Sequence, residues 1–184
     1  NKVFCTSPHS FTARFRKTKI MPVGIDTDFF KPDSAVPREL NSILFLGRIA
    51  PVKEVLRFVD WLKTQNFDAV AIAGSALPED AEYEKKVHEM VSKYGLESKV
   101  KFIGAIKHEE TKRLYLSHEK YVNLTPSGSM DKTILEAAAC ETSVIVENAD
   151  LKILESKKGK DLRDFVVENH SLKNLLRLIT AELS

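Results

Sequence analysis

The sequence predicts an α/β fold, a Rossmann-like parallel sheet with helices on both faces, and three observations carry that prediction. Residues 42 to 147 alternate short apolar runs with amphipathic stretches, the pattern of repeated βα units. The apolar runs end at small or polar residues, with Gly47, Gly74 and Gly104 closing three of them. With 184 residues, 43% of them hydrophobic, the chain suits one domain with a sizeable core.

In chain order, Val3 to Thr6 reads as a strand with no partner before it, and the chain opens at Asn1 without an initiator Met, so preceding residues are expected. Arg14 to Arg38 holds Pro22, Gly24, Pro32 and Pro37 with little periodicity and reads as a connector. Ser42 to Phe45 is a strand ending in Leu46-Gly47-Arg48. Pro51 to Thr64 is a helix, with Val55, Phe58, Val59 and Leu62 at helical spacing. Ala69 to Ala73 is the next strand, ending at Gly74. Glu79 to Tyr94 is a charged helix with Gly95 at its C-terminal cap. Val100 to Ile103 is a strand ending at Gly104, Lys107 to Ser117 a helix, Tyr121 to Leu124 a strand, Lys132 to Cys140 a helix and Ser143 to Val146 a strand. Asp161 to Leu183 reads as helix.

Composition narrows the function classes. Twenty-eight Lys and Arg against 26 Asp and Glu leave a net charge of +2, too little for a whole-surface nucleic-acid or membrane field, so any anion site is local. Cys5 and Cys140 match no metal-ligand spacing and no disulfide framework, which points to a reducing cytoplasm. None of the five histidines forms a metal-ligand pair, and no apolar run approaches the roughly 20 residues that span a bilayer. Dinucleotide-binding, Walker-type and nucleophile-elbow motifs are absent.

In open α/β sheets ligands bind beyond the carboxyl ends of the strands, so the chemistry is sought at Gly47, Gly74, Gly104 and the loop Pro126-Ser127-Gly128-Ser129. Arg48 follows a strand directly, and Lys53 falls in the first turn expected of the next helix. Together with helix N-terminal amides the two cations suit a diphosphate, although the spacing fits solvated surface cations equally. Ser127 to Thr133 leads into Ile134-Leu135-Glu136-Ala137-Ala138-Ala139, a strong helix start. Free amides there, with Lys132, suit phosphate, and the plainer reading is Ser129 or Asp131 as N-cap with Lys132 exposed. Glu136, one turn inside, suits a ribose diol, or alternatively the helix dipole or a nearby Lys.

The order of these motifs resembles the C-terminal domain of family 4 retaining glycosyltransferases, enzymes with two facing Rossmann-like domains (the GT-B fold). Residues 21 to 32, Met-Pro-Val-Gly-Ile-Asp-Thr-Asp-Phe-Phe-Lys-Pro, look like the linker that opens the second domain. Ile43 to Lys53 looks like its first strand with the phosphate-binding Arg and Lys; Ala71 to Ser75, Val100 to Gly104 and Ile134 to Cys140 follow in the family's order.

The resemblance implies transfer of a sugar from a nucleotide-diphosphate sugar to a hydroxyl acceptor with retention, in polysaccharide or glycolipid synthesis, with no cofactor or metal. It assigns Arg48 and Lys53 to catalysis, Glu136 to the ribose, Ala105 and Ile106 to the base, and Gly47, Gly74, Gly104, Lys132 and Thr133 to the donor. Residues 1–18 would be the end of a missing N-terminal acceptor domain, 19–40 a linker and 41–184 the nucleotide-sugar-binding domain. The chain alone would bind donor and transfer nothing, with no nucleic-acid partner and with membrane contact only through the missing half of a cytoplasmic, membrane-peripheral protein. Where the family has a second glutamate, eight positions before Glu136, this chain has Gly128, and Asp131 or Lys132 would take the sugar contacts. Two rival readings are a catalytically degenerate nucleotide-sugar-binding or regulatory module and a sugar-nucleotide epimerase-like domain.

Overall fold

A computed structural model describes residues 2–127 and 130–183. Its main sheet has five parallel strands, β3 (Glu39–Leu46), β4 (Ala69–Ala73), β5 (Val100–Gly104), β6 (His118–Asn123) and β7 (Ser143–Val146), in the order β5-β4-β3-β6-β7. Strand order therefore reverses between β3 and β6, where such sheets open a crevice at their carboxyl ends.

Alternation along β3 shows why both sheet faces are covered. Ile43 and Phe45 join one buried cluster with Val55, Phe58, Val59 and Leu62 of α1 (Val55–Leu62) and Val87 and Val91 of α2 (Ala81–Lys93). Leu44 points the other way, into a cluster with Tyr115 of α3 (His108–Ser117), Ile134, Leu135 and Ala137 to Ala139 of α4 (Lys132–Ala139), and Leu162 and Val166 of α5 (Lys160–His170). Strands apolar on both faces demand a helical layer on each side, and this chain supplies both.

Helix ends follow local chemistry. The left-handed Gly95 (φ 63°) closes α2, its amide donating to Ser92 and that of Leu96 to Val91, the paired bonds of a Schellman cap. Arg38 donates to the carbonyls of Leu116, Cys140 and Glu141, and Arg163 to those of Thr27, Phe30 and Ala139. Arg38, and Arg163 at Ala139, thus satisfy carbonyls that the ends of α3 and α4 leave without partners, while the other two bonds of Arg163 hold the connector at Thr27 and Phe30.

Several expected elements are differently built. The helix expected from Pro51 is a 3-10 turn, Pro51–Lys53, then Glu54 in the left-handed region (φ 55°), with α1 starting only at Val55, the first residue of its buried face. Lys53 therefore precedes the α-helix rather than lying in its first turn. The connector is not featureless: Thr18–Ile20 is a strand (β2) pairing in parallel with β1 (Val3–Cys5), a pairing that crosses the boundary expected between residues 18 and 19. Met21, Val23, Ile25 and Phe30, further along it, are buried. The single helix expected from Asp161 breaks at Ser171, which is extended and bridges Ile25, so that α6 (Leu172–Leu183) is separate. After β7 a further 3-10 turn spans Lys152–Ser156. The segment before β2 is tied to the loop after β7 by Ser7, whose hydroxyl donates to Asp150, while the His9 ring lies 3.3 Å from the same carboxylate. Among the described residues no helix is long and apolar enough to cross a membrane.

Candidate functional site

The carboxyl ends of β3, β4 and β5 are laced together by backbone: the Gly47 amide donates to Ala73 (3.0 Å), Ile49 to Ser75 (3.1 Å) and Gly74 to Gly104 (2.7 Å). The lacing leaves a cleft of about 230 Å³ that Gly47, Arg48, Gly74, Ala105 and Ile106 all line, so five residues expected at a ligand site from sequence share one cavity. Thr111 lines it too, from the first turn of α3, a contribution that sequence reasoning missed.

Gly74 has a structural reason to be glycine. Its φ is +134°, and a Cβ there would lie 1.9 Å from the carbonyl oxygen of Gly47. The neighbouring strand end fills the place of that Cβ, so the sheet alone demands glycine here, while the Gly74 backbone still lines the cleft. Lys53 runs along that same strand end, its Cδ 3.8 Å from where a Cβ on Gly47 would sit. Arg48 is exposed at the cleft mouth.

Lys53 is not a free cation. Its ammonium lies 2.5 Å from Asp131, at the start of α4, and so joins the ends of β3 and β6 across the point where strand order reverses. Asp131 also accepts from Asn123 (3.1 Å) and from the hydroxyl and amide of Thr133 (2.8 and 3.4 Å). It is the N-cap of α4, and Lys132 is exposed, as the plainer reading had it. The alternative cap, Ser129, lies outside the described residues, as does Gly128. The Thr133 amide, expected to serve phosphate, is thereby already engaged, because a capping carboxylate competes for the same donors. Burial works against the ionised form of Asp131, but the Lys53 ammonium and the bonds from Thr133 and Asn123 outweigh it and hold its carboxyl below the usual range.

Behind this pair, the Tyr121 hydroxyl donates to Thr133 (2.6 Å) and accepts from Asn123 (3.1 Å). Burial, reinforced by the Asp131 charge, pushes that phenol up, so it remains protonated. Neither Tyr121 nor Asn123 was foreseen as part of the site. Asn123 carried a signal, since an amide inside the run Tyr-Val-Asn-Leu must find partners when buried.

Glu136 lies in α4 among Ile134, Leu135, Ala137 and Ala138, all buried, and is itself only 7% exposed. The Tyr115 hydroxyl donates to its Oε2 at 2.9 Å. Burial raises the Glu136 carboxyl above its ordinary value, while Tyr115 and His108 oppose the shift. A group whose pKa is higher folded than unfolded stabilises below its unfolded value and loses that contribution as pH rises through the folded one, so ionised Glu136 costs stability at neutral pH. Glu136→Gln should therefore melt higher at pH 7 and gain less at pH 4; a lower melting temperature at pH 7 would contradict the strained-carboxylate account. Such a cost fits a residue kept for binding rather than folding.

Cys140 is buried and its thiol is pushed up to about 12 by burial, which makes it a packing residue. Among the described residues no group of three or more His, Cys, Asp or Glu is placed to hold a metal ion.

Residues 26–183 match the family model described as glycosyl transferases group 1. No curated protein matches. Among solved structures, HepE from Anabaena, crystallised with UDP and glucose, superposes with a TM-score of 0.84 at 17% identity over 99% of this chain. A glycosyltransferase from Rickettsia africae gives 0.81 at 17% identity over 98%. The C-terminal domain of a group 1 glycosyl transferase (LpcC) from Francisella tularensis gives 0.61 at 22% identity, covering 88% of this chain and 99% of that one. The chain spans only 62% of the HepE and Rickettsia chains.

Proposed function

The chain belongs to the group 1 glycosyl transferases, and from that premise we propose that it is the donor-binding half of a retaining, family 4 type enzyme that transfers a sugar from a nucleotide-diphosphate sugar to a hydroxyl acceptor. The observation that supports this most is the cleft at the carboxyl ends of β3, β4 and β5, with Arg48 at its mouth and the Lys53–Asp131 pair beside it. HepE, similar over the same span, holds UDP in one crystal and UDP-glucose in another. Polysaccharide or glycolipid synthesis in the cytoplasm is the corresponding setting, with the acceptor bound by another half of the protein.

In this reading Arg48 and Lys53 face the diphosphate, and the bond that breaks joins the sugar's anomeric carbon to the terminal phosphate oxygen. Negative charge develops on that oxygen as the bond lengthens, and cations already in place stabilise it without reorganisation. Lys53 offers Asp131 one of its three N–H groups and keeps two for phosphate. The acceptor oxygen forms the new bond to the anomeric carbon and its proton leaves with the departing diphosphate or with solvent. Glu136 takes the ribose hydroxyls, the backbone at Ala105 and Ile106 lines the base, and Asp131 or Lys132 takes the sugar.

Calorimetric titration with UDP, GDP and ADP and their sugar conjugates tests the proposal. One base should bind selectively, and Arg48→Ala should weaken it by about 10-fold or more, the loss for a charge-assisted hydrogen bond. Binding of none of the three, or binding indifferent to Arg48, overturns it.

A further inference from the structure

We propose that Tyr115 is the positioning residue of the nucleotide site: its hydroxyl fixes one oxygen of Glu136, so that the carboxylate stays ionised and presents its other oxygen to a vicinal diol. The inference rests on the donor-site reading for the diol, and on geometry for the rest.

Glu136 and Tyr115 meet because α3 and α4 are locked together at their carboxyl ends. Thr142, fully buried just after α4, donates its hydroxyl to the Tyr115 carbonyl at 2.6 Å. Arg38 spans the Leu116 carbonyl on α3 and the Cys140 and Glu141 carbonyls after α4. Tyr115 itself is fully buried, edge-on to Tyr121 at 5.7 Å and to Phe30 at 6.0 Å. Packed on several sides, its ring has one orientation, and its hydroxyl ends 2.9 Å from Glu136 Oε2.

The chemistry follows from the burial. A carboxylate in apolar surroundings protonates unless a donor compensates it, and a protonated carboxyl is a poorer acceptor for two adjacent hydroxyls. Tyr115 is a reliable donor, because burial, then the neighbouring Tyr121 and Glu136, push its own ionisation well up. Thr111, one turn before Tyr115 on α3, lines the cleft, so the same helix face forms the wall and supports the carboxylate behind it.

Tyr115→Phe removes one oxygen and keeps the ring, a nearly volume-conserving change. Titrating wild type, Tyr115→Phe and Glu136→Gln with UDP and with inorganic pyrophosphate across pH 5 to 8 gives the test. Tyr115→Phe should lose about 10-fold in UDP affinity near neutrality, the loss for a hydrogen bond to a charged group, and keep pyrophosphate affinity. Its UDP affinity should also begin to fall at a higher pH than that of wild type as the solution is acidified, because Glu136 without its donor takes up a proton sooner. A merely structural role would lower both affinities together and leave that pH dependence in place, and this result overturns the inference. If Glu136→Gln weakens UDP while Tyr115→Phe does not, the inference fails and the donor reading stands. If wild type binds UDP but Glu136→Gln changes nothing, the ribose role of Glu136 fails, and with it the role of Tyr115.

Discussion

Gly74→Ala is expected to cost about 2 to 5 kcal/mol of stability, the sum of a strained backbone and an overpacked contact. For a chain of this size that lowers the melting temperature by roughly 5 to 15 °C. The added Cβ would meet the Gly47 carbonyl oxygen at 1.9 Å and its carbon at 2.8 Å, both of them backbone atoms. Neither strand end can withdraw cheaply, since Gly47 is bonded to Ala73, Ile49 to Ser75 and Gly74 to Gly104. The movement that relieves the clash therefore opens the cleft, and UDP affinity should fall with stability. Gly104→Ala is the internal control: its φ is +79°, but a Cβ there meets nothing within 4 Å, so it should lose only about 1 kcal/mol of left-handed strain. Thermal melts of the two variants decide the matter. Equal, mild losses would mean that the Gly47–Gly74 contact relaxes freely and that the backbone bonds lacing the strand ends do not hold them rigid.

The contrast between the two glycines shows which parts of the molecule the sequence reveals. A glycine closing an apolar run marks a strand end, and all five strands of the main sheet overlap their apolar runs, although β3 and β6 each begin three residues before the expected strand, at Glu39 and His118, where pairing with each other extends them through mostly polar residues. Runs apolar on both faces already demand helices on both sides, as the two buried clusters bear out. What a strand end touches is a tertiary fact, and a ligand and a neighbouring carbonyl ask for the same missing Cβ.

Elsewhere periodicity misleads for identifiable reasons. Thr-Lys-Ile is too short and too polar to register as a strand, and β2 exists because β1 lies beside it. Asp161 to Leu183 keeps a helical pattern through Ser171, and the break there is imposed from a distance by Ile25, whose amide bonds His170 and whose carbonyl bonds Leu172. At the site, Gly47, Arg48, Gly74, Ala105 and Ile106 are legible because each directly follows or closes a strand, and strand ends converge by topology. Tyr115 and Tyr121 are not: each reads as an ordinary core aromatic, and only the packing of α3 and α4 reveals what their hydroxyls reach.

The Lys53–Asp131 pair yields the sharpest separation between folding and binding. Lys53→Ala should weaken UDP by about 1.5 to 3 kcal/mol, since it deletes a charge-assisted contact to the diphosphate. It should also lower stability by about 1 to 3 kcal/mol, less than for a fully buried pair because the ammonium retains 25% exposure, against 14% for the carboxylate it leaves behind. Asp131→Asn acts otherwise. The single amide oxygen can still cap α4 at Thr133, but the NH2 then replaces the oxygen that Lys53 and Asn123 bond, so the ammonium loses its partner while a negative charge beside the diphosphate disappears. UDP affinity should then hold or rise, and only stability should fall, by about 1 to 3 kcal/mol. The folded-state pKa of Asp131 is depressed, so its charge contributes fully above the unfolded value near 3.9 and ceases to contribute as pH falls through the lower, folded one. The stability gap between wild type and Asp131→Asn should accordingly be widest near neutrality and close in strong acid. Denaturant melts at pH 7 and pH 2.5 read that gap directly. Should Asp131→Asn instead lose UDP as heavily as Lys53→Ala, the carboxylate would serve the nucleotide as well as any sugar contact, and its pairing with Lys53 would be the means by which the ammonium is aimed.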